Sequence, residues 1–326
     1  MNMVENGMSD KPAVCKSRNG LSSGKKSKVI SCLIRDRQLY LMIFPMLLFF
    51  LIFCYKPMIG FVIAFKDYSP FKGIWNSPWV GFRNFTDFFS GPYFTRTLAN
   101  TLVISMAGIV IGFPIPIILA LLFNEIRSKS FVKTVQTITY APHFISAVVI
   151  AGLVTNFLAP TSGLFNVILE RLGMDKVHFL AQPEYFVPIY TLMDVWQNAG
   201  FNAILYISAL TGISAELYEA AAADGASRWR QLLHITLPGL LPTIVIMLIL
   251  RLGNILNVGY ETIILLYNPG TYSTADVIST YVYRSGIEGG KYDFATAVGL
   301  FNSTVGFILV IITNKFSNKV ADIGLW

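Results

Sequence analysis

Apolar residues in this chain gather into six long blocks rather than the short periodic runs of a water-soluble fold. The blocks cover residues 39–65, 97–123, 134–158, 185–210, 237–267 and 294–313. Each reaches the roughly 20 residues that a helix needs to cross a bilayer. A helix satisfies its own backbone polar groups where no water can, so helices are the spanning element. The pattern predicts an all-α integral membrane protein with six transmembrane helices, and an even number of crossings puts both termini on one side. Lys56 and Pro57 interrupt the first block, where tilt or a kink absorbs the excess length. Pro114 and Pro116 fall in the second block, and Pro142 with His143 in the third. The first block reads as a retained span: its basic leader is long and no small-residue cleavage site follows it.

Between the fourth and fifth blocks lies a stretch too polar to cross. Residues 219–242 read EAAAADGASRWRQLLHITLPGLLP. Residues 215–223 are Ala, Glu, Leu and Tyr, mostly strong helix formers with no Gly or Pro. Gly225 suits the left-handed position that closes many helices. A helical pattern restarts over residues 227–236, with Trp229, Leu232, Leu233, Thr236 and Leu237 near one face. Pro238 and Pro242 fit the first turns of the next span, where a missing N–H costs least. The stretch therefore predicts a helix, a sharp turn and a second helix, lying at the membrane surface.

Charge orients this arrangement. The net charge of +7 could suggest nucleic acid, but eight Lys and Arg precede the first block as a membrane flank. That Ser-, Lys- and Gly-rich tail, residues 1–36, reads as disordered. Lys and Arg on the tail side total 15 against 8 in the opposite loops, with Lys56 and Arg251 inside spans. The excess places both termini and the Glu219 stretch in the cytoplasm. Trp75, Trp79 and Phe82, in the loop after the first block, suit the opposite membrane interface. Cys15, Cys32 and Cys54 have no spacing that suggests a disulfide framework or metal site.

Candidate chemistry is sparse. No phosphate-binding G-x-x-x-x-G-K-[ST] loop is present, and His143, His178 and His234 lack metal-ligand spacing, so each reads as structural. No catalytic constellation, cofactor or metal is expected. Ionisable groups inside spans are costly enough to be functional candidates, which singles out Asp194, Arg251 and Glu261. Asp194, Asn198 and Asn202 share a helix face at i, i+4 and i+8, and Asn254 and Asn257 follow Arg251 at i+3 and i+6. Two readings stay open: a polar stripe facing a translocation path, or an ion pair and amide ladder gluing helices of the same subunit.

Glu219, Ala220, Asp224, Gly225, Ala226, Ile235, Leu237 and Pro238 resemble the "EAA" loop of permease subunits of binding-protein-dependent ABC importers. The stretches RDRQLYL (35–41), YKPMIGFVIAFKDY (55–68), DVISTYVYR (276–284) and GLW (324–326) are similar to the polysaccharide and oligosaccharide permeases within that family. The resemblance covers nearly the whole chain after residue 34 and leaves residues 1–34 without a carried-over role. It implies the transmembrane domain of a type I ABC importer: a non-catalytic permease subunit that forms the path for a carbohydrate, an oligosaccharide. ATP hydrolysis would reside on another chain. The implied partners are a second permease of a different chain, two copies of a cytoplasmic ABC ATPase and an extracellular sugar-binding protein, within a bacterial cytoplasmic membrane and its lipid, with no nucleic acid. The loop would form the coupling helix that docks in a groove on the ATPase, using Glu219, Ala220, Ala221, Asp224, Gly225, Ala226, Arg228, Trp229, Leu232, Leu233, Ile235, Leu237 and Pro238. The domain reading is a basic tail (1–36), first span and extracellular loop (37–94), importer core (95–314) with coupling helices at 215–236, and a cytoplasmic tail (315–326). The rivals are an ion-gradient-driven secondary transporter, which should carry inverted repeats, and a multi-pass membrane enzyme; neither an internal repeat nor a catalytic set is visible.

Overall fold

The structure is a computed structural model that describes residues 36–321 and 323–325. The expected basic tail over residues 1–35, with Cys15 and Cys32, lies outside the described residues, as does Trp326 of the terminal GLW. Contacts divide the chain into two compact units, Met1–Gly60 and Phe61–Trp326. Helix α1, Arg37–Phe65, begins in the first unit, where no residue of its regular helix is buried. A π-helical turn, Phe50–Tyr55, lies just before Pro57, whose missing N–H interrupts the regular ladder.

The second unit carries α2 (Phe94–Glu125), α3 (Lys129–Phe144), α4 (Ala147–Phe157), α5 (Pro183–Thr211), α6 (Ala215–Ala223), α7 (Arg228–Gly253), α8 (Tyr260–Leu266) and α9 (Tyr292–Ala321). Helices α1, α2, α7 and α9 are each long and apolar enough to cross a membrane. Counting the bent pairs α3–α4 and α5–α6 as one span each brings the total to six. Among the described residues the only extended pairing is an isolated bridge, Lys66 with Trp79.

Three expectations are corrected. The third block is not one straight span: α3 and α4 meet at 100°. Pro142 opens a 3-10 turn there and the Ser146 side chain caps the restarted helix, accepting from Val149 N at 3.4 Å. The fifth block does not stay helical to residue 267. After Gly253 the chain turns through short-range bonds, Asn254 N to Arg251 O and Asn257 N to Asn254 O, before α8 begins behind Gly259. Nor does residue 227 open a separate surface helix. Residues 228–236 run through a π turn, Leu232–Thr236, directly into the apolar part of α7, so Pro238 and Pro242, expected in the first turns of a span, lie inside a helix already under way, Pro238 just behind the π turn.

Helix α5 is central and packs against α2, α3 and α7. One core cluster joins Ala120 of α2 to Ala203, Tyr206 and Leu210 of α5 and Leu240 of α7. A second joins Ile104, Ile150, Met193 and Ile263. Large side chains on the outward faces, such as Val110, Leu192 and Phe307, stay exposed, as lipid contact requires.

The loops on the far side of the bilayer from α6 are held by buried polar groups. Lys66 is buried, and its Nζ donates to Ile74 O at 2.7 Å and Trp75 O at 3.2 Å, while Asn84 Nδ2 donates to Ala64 O and Lys66 O. Asp276 is fully buried and accepts both guanidinium nitrogens of Arg284 at 2.8 Å, Arg96 Nη2 at 3.0 Å and Thr280 Oγ1 at 2.8 Å. Asn100 Nδ2 donates to the Asp276 carbonyl, and Thr101 Oγ1 accepts from Ile278 N, so the outer end of α2 is laced to residues 276–284. The hydrogen bonds that Arg284 donates to Asp276 hold its guanidinium more basic than usual, and burial raises the Tyr272 phenol beside it. Removing one partner of such a cluster leaves uncompensated charge in low dielectric. Asp276→Ala is therefore expected to destabilise the purified protein by about 3–5 kcal/mol, read as a lowered unfolding midpoint. Arg83→Ala, which breaks the exposed Arg83–Asp87 pair, should stay within about 0.5 kcal/mol of the parent.

Candidate functional site

Two adjoining cavities of about 280 and 380 Å³ lie among α2, α5 and the end of α7. They share Gly108, Asp194, Arg251 and Asn254. The first also takes in Asn198 and Asn257, the second Asn202. All six polar residues singled out from the sequence thus converge on one place. Glu261 does not: it is exposed in the first turn of α8. The helical spacing holds for Asp194, Asn198 and Asn202 on α5. Asn254 and Asn257, expected on the same helix as Arg251, lie in the turn that follows it, and reach the cavity because the chain bends back there.

A hydrogen-bond chain sets one wall. His143 Nδ1 donates to Asn198 Oδ1 at 3.0 Å, and Asn198 Nδ2 donates to Asp194 Oδ1 at 2.8 Å. The imidazole stacks on Phe201, with ring centroids 3.9 Å apart. His143 therefore orients the Asn198 amide and is a structural histidine of the bend between α3 and α4. Arg251 is exposed, and its side chain makes no hydrogen bond or ion pair among the described residues. No salt bridge joins it to Asp194, which disfavours the reading of these two as a fixed ionic glue. Its guanidinium lies against the π-helical turn of α2: a Cβ at Gly108 would stand 2.7 Å from Arg251 Nη2. Such turns place irregular backbone where a helix must accommodate a neighbour.

The cavity holds residues that sequence reasoning passed over. Tyr190, Thr191 and Gln197 line it from α5, and Ser105 from α2, with its hydroxyl donating to Ile255 O. The Thr191 hydroxyl is buried without a partner among the described residues. Tyr190, Thr191, Asp194, Gln197 and Asn198 recur at helical spacing, a polar stripe longer than the one drawn from ionisable and amide groups alone.

The second feature is the turn between α6 and α7. Ser214 caps α6, its side chain accepting from Glu216 N at 3.3 Å. The helix closes with Gly225 at φ +76°, Gly225 N bonding to Ala222 O and Ala226 N to Ala221 O, the paired closure that a left-handed glycine permits. Tyr218 OH pairs with Thr236 Oγ1 at 3.0 Å, and Gln231 Nε2 donates to Ala226 O, pinning α6 to the start of α7. Arg228 Nη1 bonds Glu125 Oε2 at 3.0 Å and so links the turn to the end of α2. Glu219, Ala220, Asp224, Gly225, Arg228, Leu233 and Pro238 face outward, and Trp229 is 74% exposed. Ala221, Ala226, Leu232, Ile235 and Leu237 are half-buried along the inner side. An apolar, aromatic and acidic surface on a rigid bend is left uncovered.

This architecture is that of a helical membrane permease: a polar cavity within apolar spans, and a stiff exposed bend at one end of them. Residues 112–322 match the family described as binding-protein-dependent transport system inner membrane component. The chain is 43% identical over 306 residues to protein LplB of Bacillus subtilis (strain 168), covering 94% of this chain and 96% of that protein. It is 43% identical over 302 residues to the polygalacturonan/rhamnogalacturonan transport system permease protein YteP of the same organism, covering 93% and 94%. Among solved structures it superposes with a TM-score of 0.83, at 48% identity, on a chain of a bacterial alginate ABC transporter crystallised in complex with an alginate pentasaccharide-bound periplasmic protein, covering 90% and 99%. The chain belongs to the family of inner membrane components of binding-protein-dependent transport systems. It is the multi-pass permease subunit of an ABC importer in the cytoplasmic membrane; in this family ATP hydrolysis resides on a separate subunit, and the permease works in a complex with another permease, an ATPase and a binding protein. Ion-gradient-driven transport is not favoured. Because Asp194 and Arg251 form no ion pair, Asp194→Asn and Arg251→Gln are each expected to leave complex assembly unchanged, measured by co-purification of the ATPase. The swapped double variant should then assemble no better than either single one.

Proposed function

We propose that the chain forms one side of the path for an oligosaccharide, one carrying carboxylates, handed over by an extracellular binding protein, and couples that passage to two copies of a cytoplasmic ATPase. The observation that carries the reading is the cavity itself: Asp194, Asn198, Asn202, Arg251, Asn254 and Asn257 gather inside otherwise apolar spans, where polar groups without a task are costly. Amide and hydroxyl groups suit sugar hydroxyls, and an unpaired guanidinium suits a carboxylate. The cargoes named for the permease YteP and for the alginate transporter support an acidic glycan. The second permease is a different chain of similar type.

The proposed coupling surface is the bend, with Glu219, Ala220, Ala221, Asp224, Gly225, Ala226, Arg228, Trp229, Leu232, Leu233, Ile235, Leu237 and Pro238. Its exposure and its small-residue ridge support docking into a groove. Helix α7 starts at this bend and ends at the cavity, a run of roughly 35 Å from Arg228 to Arg251 at about 1.5 Å per residue. Closure of the ATPase dimer would push the bend, and rigid-body rotation of the spans would turn the cavity outward. The orientation with both termini cytoplasmic is supported by the 15-to-8 excess of Lys and Arg.

In the reconstituted complex with its loaded binding protein, Glu219→Lys and Gly225→Pro are expected to lower cargo-stimulated ATPase activity about tenfold or more, a typical coupling energy, while membrane insertion is unchanged. Unchanged stimulation in both variants would refute the docking role. A screen of acidic against neutral oligosaccharides tests the cargo: Arg251→Gln should erase a preference for uronate-containing glycans. Sidedness is read separately by labelling Trp229→Cys and Phe71→Cys, in a background lacking the native cysteines, with a membrane-impermeant maleimide; only Phe71→Cys should react in intact cells.

A further inference from the structure

A third cavity, about 280 Å³, opens at the α6 end of the spans between the last turn of α2, the first two turns of α3 and the last turn of α5. Its floor is apolar, with Phe123 and Leu210 buried in the core. Its rim carries Asn124, Lys129, Lys133 and Gln136. Lys129 and Lys133 stand one turn apart on the same face of α3, a repulsive spacing unless an anion lies between them. Neither side chain has a hydrogen-bond or ion-pair partner among the described residues. The nearest acid in sequence, Glu125, is already engaged by Arg228. The start of α3, with Ser128 capping Phe131 N, adds the partial positive charge of a helix N-terminus. Beside these cations, Phe131 and Ile138 of α3 are 56% and 65% exposed, an apolar surface suited to acyl chains.

We propose that this cavity binds the phosphate headgroup of an anionic phospholipid, phosphatidylglycerol or cardiolipin, with Lys129 and Lys133 as its cationic clamp and Asn124 and Gln136 as hydrogen-bond donors. Cation pockets between helices at the membrane boundary recognise such headgroups. The leaflet is the inner one, which rests on the orientation proposed above. The site abuts the coupling machinery: Asn124 adjoins Glu125, which holds Arg228, and Thr211 on its wall lies four residues before α6. An occupied cavity therefore stabilises the ends of α2 and α5 that carry the bend, and coupling depends on anionic lipid.

The test uses the complete importer complex reconstituted in phosphatidylcholine vesicles, in vesicles with added phosphatidylglycerol, and in phosphatidylcholine vesicles with added inorganic phosphate. Retained lipid is read by native mass spectrometry and coupling by cargo-stimulated ATPase activity. The parent should retain phosphatidylglycerol and gain stimulated activity with it, and inorganic phosphate should not substitute. Lys129→Gln with Lys133→Gln should weaken retention by about fivefold per lysine, and the corresponding double Arg variant should restore it. Lys315→Gln with Lys319→Gln should change nothing. Equal retention in the Gln variant, equal loss in the Lys315 and Lys319 control, or stimulation by inorganic phosphate alone would overturn the lipid site. Loss of ATPase co-purification at unchanged lipid retention would overturn it too, marking the rim as a protein interface. A wrong orientation is recognised apart from these outcomes, because maleimide labelling of Trp229→Cys from outside would reverse the leaflet and leave lipid retention lysine-dependent.

Discussion

The helix that runs continuously from Arg228 to Gly253 is the constraint on which the rest of the molecule depends. In a bilayer a helix cannot exchange its hydrogen bonds for water, so α7 responds to force at one end as a rod rather than a hinge. One end is the exposed bend closed by Gly225, and the other is Arg251 in the polar cavity. The π turn at Leu232–Thr236 and the missing N–H groups of Pro238 and Pro242 thin the ladder of α7 locally, but the helix continues through them to Gly253. A bend that is stiff, and tied back by Tyr218 to Thr236 and by Arg228 to Glu125, conveys a push to more than one helix at once.

The chain treats charge in two opposite ways. Asp276 is fully buried, and both of its oxygens are saturated by Arg284, Arg96 and Thr280. Such a group is spent on holding α2 to the 276–284 segment, and its charge is invisible to anything outside. Arg251 and Asp194 stand the other way, unpaired with each other and open to a cavity. Asp194 is oriented by Asn198, which is oriented in turn by His143. Preorganised polar groups facing free volume are what a passing solute can use; saturated ones are not.

The same distinction separates the start of α3 from the end of α2. The side chains of Lys129 and Lys133 on α3 are left without partners beside an apolar floor, whereas Glu125 of α2 is committed to the bend. Membrane, cavity and coupling turn thus meet over a few residues at the ends of α2 and α5.

Much of this was determined by the sequence itself. The six apolar blocks, the basic flank and the Gly225 turn are local: each follows from hydropathy over about 20 residues or from the backbone freedom of a single residue. The polar stripe on α5 was legible for the same reason, since Asp194, Asn198 and Asn202 repeat at the helical period. Tertiary structure decided the rest. The 100° bend after Pro142 and the early end of α7 at Gly253 depend on what packs beside them, and proline or glycine alone permits a bend without requiring one. Arg96 and Arg284 read as loop charges in sequence because nothing local ties them to Asp276, 180 and 8 residues away respectively. That Tyr190, Thr191, Gln197 and Ser105 join the cavity, and that Arg251 and Asp194 share it unpaired, follows from three helices meeting. Hydropathy reports only on a residue and its neighbours along the chain, and where distant segments pack is set by shape and by the need to satisfy buried polar groups together.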